Sequence, residues 1–173
     1  ERALKAGTDL RKMDAAALAF PDHTFDVVFS YDSFEHFSDP AAVLGEIYRV
    51  TKPGGYVFLE FGPLFDSPMG LHAYRQINVP YCQHLFTNET LSDFLAQQNA
   101  EPLDFAHCNG WSLTQFRALF DAYSGRLNKV IYAEHCDYAH LDMIQKYAPI
   151  FKSKTEHFDG LLCDSIKVLF RKR

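Results

Sequence analysis

Residues 25–36 of this chain, FDVVFSYDSFEH, together with residues 52–56, KPGGY, decide the fold. The apolar run inside the first stretch is too short for a helix and is rich in β-branched and aromatic residues. It predicts a strand at Val27–Phe29 that is buried on both faces, as strands of a parallel sheet are. The polar residues that follow predict the end of this strand.

A helix and a second strand are predicted directly after this first strand. The helix should begin near Asp39-Pro40, because an oxygen-bearing side chain caps a helix and proline suits its first turn. Its apolar face recurs at helical spacing: Val43, Leu44, Ile47, Tyr48 and Val50. Residues 53–55, PGG, predict the end of the helix and a turn into a strand at Tyr56–Phe61. Strand, helix and strand in this order form a βαβ unit.

The rest of the chain is predicted to form one α/β domain over residues 1–173, since no linker interrupts it. A short strand is expected at Asp9–Met13, after a helix end at Glu1–Gly7. The later patterns predict a loop at Phe61–Tyr81, helices at Thr87–Asn99, Ser112–Tyr123 and about His135–Phe151, and strands at Leu103–Cys108 and Asp164–Arg171.

Composition narrows the function classes. A net charge of −5 argues against binding a nucleic-acid backbone, which needs a basic face. No apolar run approaches the ~20 residues that span a bilayer, so no membrane partner is expected. The four cysteines include no C-x-x-C pair, which is typical of reduced thiols in a cytoplasmic protein.

Several short blocks occur in an order and spacing that resemble class I S-adenosylmethionine (SAM) dependent methyltransferases of the small-molecule, type 11-like kind. They span roughly a third of the chain. The blocks are Asp14-Ala15, residues 18–22 (LAFPD), residues 25–28 (FDVV), Glu35-His36, Asp39-Pro40 and residues 48–55 (YRVTKPGG).

The resemblance implies a Rossmann-like class I methyltransferase sheet with a terminal antiparallel strand pair and a helical insertion. It also implies that part of the domain is missing. The sequence contains no G-x-G turn, which in this family approaches the cofactor, and it begins at Glu1 without a methionine. We therefore expect a truncated domain, the C-terminal two-thirds of a methyltransferase, with its sheet incomplete at the N-terminal part.

The resemblance also implies cofactor-binding residues. The Asp14 carboxylate would accept a hydrogen bond from the adenine amine, and the Ala15 N–H would reach a ring nitrogen. The alternative is that Asp14 only caps the following turn. Ser30 and Tyr31 would line the methionine end of SAM with their backbone, where the central strand ends. The alternative for them is an ordinary exit from a strand.

His36 is the candidate catalytic residue, as a general base or as a group that orients the substrate. The alternative is that Glu35-His36 packs the loop against a helix. No metal site is expected. Three neighbouring sets of histidine and cysteine lack the ligand spacing of zinc sites: Cys82 with His84, His107 with Cys108, and His135 with Cys136 and His140.

The predicted function is SAM-dependent methyl transfer to a small-molecule acceptor in a longer parent protein, with this chain alone inactive. The alternative is a non-catalytic Rossmann-like module for interaction or dimerisation. A nicotinamide-dependent dehydrogenase is a weaker third hypothesis, because it needs a similar glycine turn. Without the missing strands, Val27–Phe29 would expose an apolar edge, so we expect either self-association through that edge or that these residues are the ordered part of a longer protein.

Overall fold

The structure is a computed structural model that describes residues 9–155 and 157–173. Its strands form one open four-stranded sheet in the order β1-β2-β4-β3. Strand β1 runs parallel to β2, whereas β4 runs antiparallel to both of its neighbours. The predicted α/β class, with an open Rossmann-like sheet, is confirmed. The strands are β1 (Phe25–Tyr31), β2 (Thr51–Phe61), β3 (Leu127–Cys136) and β4 (Cys163–Lys172).

Helices occupy much of the connecting chain. In addition to a 3₁₀ turn at Phe34–His36, the described residues contain α1 (Pro40–Val50), α2 (Cys82–Leu85), α3 (Asn88–Gln97), α4 (Leu113–Ala122), α5 (Leu141–Lys146), α6 (Ala148–Lys154) and α7 (Phe158–Leu162). None of these helices combines the length and the hydrophobicity that crossing a lipid bilayer requires.

The βαβ unit forms as the sequence predicts. The Asp39 carboxylate accepts a hydrogen bond from Ala42 N at 2.9 Å, and Pro40 is the first residue of α1. The apolar face of this helix is buried against the sheet, which accounts for much of its stability. One boundary differs from the prediction: β2 begins at Thr51 rather than Tyr56. Gly54 lies inside this strand and has a φ of +78°, which other residues rarely adopt.

Strand β1 corrects the prediction of burial on both faces. Val28 packs against the main core, but Val27 and Phe29 are 57% and 74% exposed. Tyr31 is also exposed. The reason is that one face of the strand is uncovered: Val27, Phe29 and Tyr31 alternate with Val28, so they share the face opposite the main core, and the described residues do not cover that face. An apolar sequence shows that a strand can be buried. It does not show whether another part of the protein covers that strand.

Two predicted strands are wrong. Asp9–Met13 forms no strand, and Leu10 in it is 78% exposed. A strand there would need a neighbour that the described sheet does not provide. Leu103–Cys108 forms a turn instead, because the Asp104 side chain accepts a hydrogen bond from Ala106 N at 2.9 Å. This local bond competes with strand pairing.

The predicted helix at His135–Phe151 is wrong in its first part. His135 and Cys136 end β3, where they pair with Ser165 and Cys163 of β4, and the helices α5 and α6 cover only the later residues. Strand β3 itself was not predicted. The antiparallel pair at the sheet edge is confirmed, but the partner of β4 is β3 rather than Leu103–Cys108.

The other predictions agree with the structure. Phe61–Tyr81 has no helix or strand beyond the end of β2, and β4 matches the predicted final strand. The helices α3 and α4 begin one residue after Thr87 and Ser112, whose side chains cap them. The predicted helix end at Glu1–Gly7 lies outside the described residues.

Candidate active site

The segment that contains Asp14 and Ala15 is attached to α1 by one arginine. The Arg49 guanidinium donates to the carbonyl oxygens of Leu18 and Phe20 at 2.9 and 2.8 Å and to the carboxylate of Asp22 at 2.8 Å. It also binds Glu46 through two hydrogen bonds, and this pairing lowers the pKa of Glu46 to about 2. Segment 14–22 therefore has a fixed position although it contains no helix or strand.

Within this segment, Asp14 adopts the turn-capping geometry. Its Oδ1 accepts a hydrogen bond from Ala16 N at 2.9 Å, and its carbonyl oxygen accepts one from Ala17 N at 3.1 Å. The residue is exposed. Ala15, by contrast, is half-buried and packs against the main core. The alternative proposed for Asp14, a turn cap, is thus present, and a contact with adenine would have to be made in addition to it.

Three of the predicted cofactor residues lie in one groove beside β1. The groove has a volume of about 390 Å³ and runs along the edge of the sheet between segment 15–18 and α1. Asp14 does not line it. The lining residues are Ala15, Leu18, Val28, Phe29, Ser30, Tyr31, Ser33, Phe37, Val43 and Ile47. Most of these are apolar, so the groove suits a ligand with an apolar part or another strand.

Glu35 and His36 lie in the turn after β1, between Ser33 and Phe37, which line the groove. Glu35 is 2% exposed, and neither of its carboxylate oxygens has a hydrogen-bond partner of acceptable geometry. Burial raises the pKa of Glu35, and the backbone amides of Glu35 and Gly62 and the His36 ring oppose this rise only in part. The His36 Nε2 lies 3.6 Å from Glu35 Oε1.

Asn109 holds this turn against a distant loop. Its side-chain amide donates to the carbonyl oxygens of Phe34 and Phe37, both at 3.1 Å, and its backbone N–H donates to the carbonyl of Glu35 at 2.9 Å. Its Oδ1 accepts a bond from Trp111 N at 3.0 Å. These bonds bring His107 close to His36, and the His36 Nδ1 donates to the His107 carbonyl oxygen at 2.8 Å.

A cluster of three histidines results, which we call the histidine cluster: His36, His72 and His107. One ring nitrogen of each lies within 4.8 Å of the other two. His36 and His72 are half-buried and His107 is exposed. Burial lowers the pKa of His72, and the two neighbouring rings lower it further. The sequence gives no sign of this cluster, because its members are separated by long stretches of chain.

The sets of neighbouring histidines and cysteines in the sequence do not converge in this way. Within residues 9–155 and 157–173, the histidine cluster is the one group of three potential metal ligands that comes together. Cys108, the neighbour of His107, is half-buried. Burial, with a contribution from the Glu35 charge, raises its pKa to about 12, so it remains a neutral thiol.

Comparisons with known proteins indicate which protein family this chain resembles. A methyltransferase domain family model matches residues 1–59. The demethylmenaquinone methyltransferase of Thermus thermophilus is 45% identical over 71 residues, which are 39% of this chain and 32% of that protein. An uncharacterised methyltransferase of Mycolicibacterium vanbaalenii is 31% identical over 136 residues, 73% of this chain and 53% of that protein. The chain spans about half of such relatives or less.

The fold is also similar to that of a solved structure. The crystal structure of a Bacillus halodurans protein assigned as a methyltransferase superposes with a TM-score of 0.50 over 92% of this chain and 69% of that chain. Its sequence identity is 16%, so this similarity concerns the fold alone. The resemblance to class I SAM-dependent methyltransferases is confirmed, in sequence over the first third of the chain and in fold over most of it.

Proposed function

We propose that this chain is part of an enzyme that transfers a methyl group from SAM to a small-molecule acceptor. The observation that carries the proposal is the groove beside β1, where the end of the strand and segment 15–18 meet. In an open α/β sheet, ligands bind outside the carboxyl ends of parallel strands, and this groove includes such an end.

The relatives imply that the cofactor is SAM. The residues of this chain can contact part of the SAM molecule. Ala15 lines the groove near the Asp14 turn, and Ser30 and Tyr31 provide backbone at the strand end. When bound, SAM supplies an already activated methyl group, so the protein mainly has to align it with the acceptor. The sequence contains no G-x-G turn, and ribose and carboxylate contacts therefore have to come from other residues.

His36 is suited to receive a proton from the acceptor. Because its Nδ1 donates to the His107 carbonyl, the neutral ring carries its lone pair on Nε2. A hydroxyl or amine could donate to this nitrogen. The side chain is 27% exposed, so a ligand can reach it. His36 would hold the acceptor in place and take its proton as the methyl group is transferred.

Two observations indicate the class of methyl acceptor: the net charge of the chain and the name of one relative. A net charge of −5 argues against a nucleic-acid acceptor, which needs an extended basic face. The Thermus relative is named for demethylmenaquinone, a small molecule. A small acceptor with an apolar part would also suit the mostly apolar lining of the groove. The free thiols and the absence of a bilayer-spanning helix in the described residues support a cytoplasmic location as part of the proposal.

Calorimetry with SAM tests this function. We expect the 173-residue chain to bind SAM weakly or not at all, because several charge-assisted hydrogen bonds, each worth about 1.5–3 kcal/mol, are not provided. A chain extended upstream along its gene should bind in the micromolar range. There, Asp14→Ala should weaken SAM binding, His36→Ala should reduce turnover, and Asp93→Ala on the exposed face of α3 should change neither. Failure of the extended chain to bind SAM would contradict the proposal.

A second function is supported by the exposed face of β1. Val27, Phe29 and Tyr31 present an apolar surface next to a strand edge that is unpaired among the described residues. Such an edge is a template for another strand. A non-catalytic module that associates with a second copy through β1 therefore remains the alternative, and micromolar SAM binding by the extended chain would argue against it.

A further inference from the structure

The histidine cluster brings three loops to one point. His36 follows β1, His72 belongs to the long loop after β2, and His107 precedes α4. The ring centroid of His36 lies 4.8 Å from that of His72 and 4.3 Å from that of His107. Imidazole is a frequent ligand of divalent transition metals, and three such rings complete the protein part of many open zinc sites.

Two of these rings are already held in the tautomer that a metal requires. The His36 Nδ1 lies 2.8 Å from the His107 carbonyl oxygen, and the His72 Nε2 lies 2.8 Å from the Pro63 carbonyl oxygen. A carbonyl only accepts, so these nitrogens carry the protons. The opposite nitrogens, Nε2 of His36 and Nδ1 of His72, keep their lone pairs. A hydrogen bond from a ring N–H to a carbonyl is the usual support of a metal-bound histidine.

A buried carboxylate beside the cluster is an independent indication. Glu35 is 2% exposed and its oxygens have no hydrogen-bond partner, yet Oε1 lies 3.6 Å from the His36 Nε2. A buried carboxyl group without a hydrogen-bond partner is costly. A cation bound at the His36 Nε2 would lie beside this carboxyl group and give its oxygens a partner.

We propose that His36, His72 and His107 bind a divalent transition-metal ion of the zinc class, with Glu35 as the neighbouring counter-charge. Nitrogen ligands of tetrahedral zinc lie about 2.0–2.1 Å from the ion and hence roughly 3.4 Å from one another. One ring nitrogen of each histidine lies within 4.8 Å of the other two, so ring shifts on the order of 1 Å close the site. His107 is exposed, which leaves the fourth position to water.

The site goes beyond the proposed methyl transfer, because it assigns the histidines a ligand of their own. An occupied site takes up the lone pair of His36, so the ring no longer accepts a proton. An oxygen of a small molecule in the neighbouring groove would then replace the water on the ion. Metal binding can be measured without SAM, so its outcome is independent of the cofactor experiment.

The test is titration of the tag-free 173-residue chain with Zn²⁺ by calorimetry and with Co²⁺ by visible absorption, both at neutral pH. We expect one ion per chain, a dissociation constant in the micromolar range or below, and the intense d–d bands of tetrahedral Co²⁺. His107→Ala and His72→Asn should each weaken binding at least tenfold. Asparagine suits position 72 because the residue there has a φ of 57°. Glu35→Gln should weaken binding less, and His135→Ala on β3 should leave it unchanged.

Folding is monitored in parallel, by circular dichroism and thermal unfolding in the presence of EDTA. His107 is exposed, so its replacement should leave the fold intact and provide the decisive variant. Absence of Zn²⁺ binding by the folded wild-type chain would overturn the proposal. So would binding that His107→Ala and His72→Asn leave as tight as in the wild type, or binding that His135→Ala abolishes.

Discussion

Acidification should destabilise this fold through His84, a residue of α2. Its side chain is buried, with the rings of Phe65 and Phe151 at 5.9 and 6.0 Å. The His84 Nε2 has no hydrogen-bond partner, although it lies 3.4 Å from a carboxylate oxygen of Asp66. Burial is the main reason why the pKa of His84 falls to about 4, from about 6.5 in an unfolded chain.

The difference between the folded and the unfolded pKa of His84 sets the sign and the size of this loss of stability. Because the folded pKa lies below the unfolded one, the unfolded chain binds more protons between about pH 4 and pH 6.5. Stability that is fully present above the unfolded pKa is therefore lost as the pH falls through this window. Between pH 7 and pH 5 the loss from His84 amounts to about 2 kcal/mol.

Asp66 acts in the opposite direction. Burial raises its pKa, so the folded chain takes up a proton at a higher pH than the unfolded chain does. This uptake stabilises the folded state as the pH falls further, and it offsets part of the His84 effect in the wild type. The contribution of His84 is therefore best obtained as a difference between proteins, measured at the same two pH values.

Urea unfolding at pH 7 and pH 5 provides that difference. The wild type should lose about 2 kcal/mol more between the two pH values than His84→Leu does. At pH 7 the leucine variant should be as stable as the wild type or more so, because it replaces a buried ring nitrogen without a partner. The exposed control His135→Leu should follow the wild type. Equal pH dependence in the wild type and His84→Leu would refute this reasoning.

Three further predictions concern segment 14–22, the Asn109 contacts and the edge of the sheet. Arg49→Met should speed amide hydrogen exchange in segment 14–22 while α1 stays protected, and an unchanged exchange pattern would contradict the anchoring role of Arg49. Asn109→Ala removes three side-chain hydrogen bonds and should lower the free energy of unfolding by about 2–4 kcal/mol in urea titrations, with the exposed Asn78→Ala as an unaffected control. Phe29→Lys should reduce self-association in light scattering, and a monomeric wild type would disprove that association.

The βαβ unit was predictable because its information is local. The Asp39 cap, the proline after it and the apolar spacing of α1 all lie within one turn or a few turns of the residues they control. Strand β3 was not predictable in the same way. Residues 128–132 of this edge strand are all exposed, so no alternation of apolar and polar residues marks it. Its strand conformation follows from pairing with β4, a segment far along the chain.

The candidate site also combines features that the sequence predicts with long-range contacts that it does not. Ala15, Ser30 and Tyr31, which the family resemblance singled out, lie in one groove. The histidine cluster depends instead on a hydrogen bond between His36 and His107, which are 71 residues apart. Its positioning residue, Asn109, belongs to no motif. No spacing rule applied to the sequence could have joined these residues, since their proximity is a property of the packed loops.

The place of β4 in the sheet has a consequence for synthesis on the ribosome. β4 pairs with both β2 and β3, and only the β1–β2 pair does without it. About 100 residues separate β2 from β4. At usual translation rates of about 5–20 residues per second, β4 is therefore synthesised roughly 5–20 s after β2. During that interval the nascent chain exposes two open strand edges. Unpaired strand edges are templates for aggregation, so slower translation lengthens the time at risk.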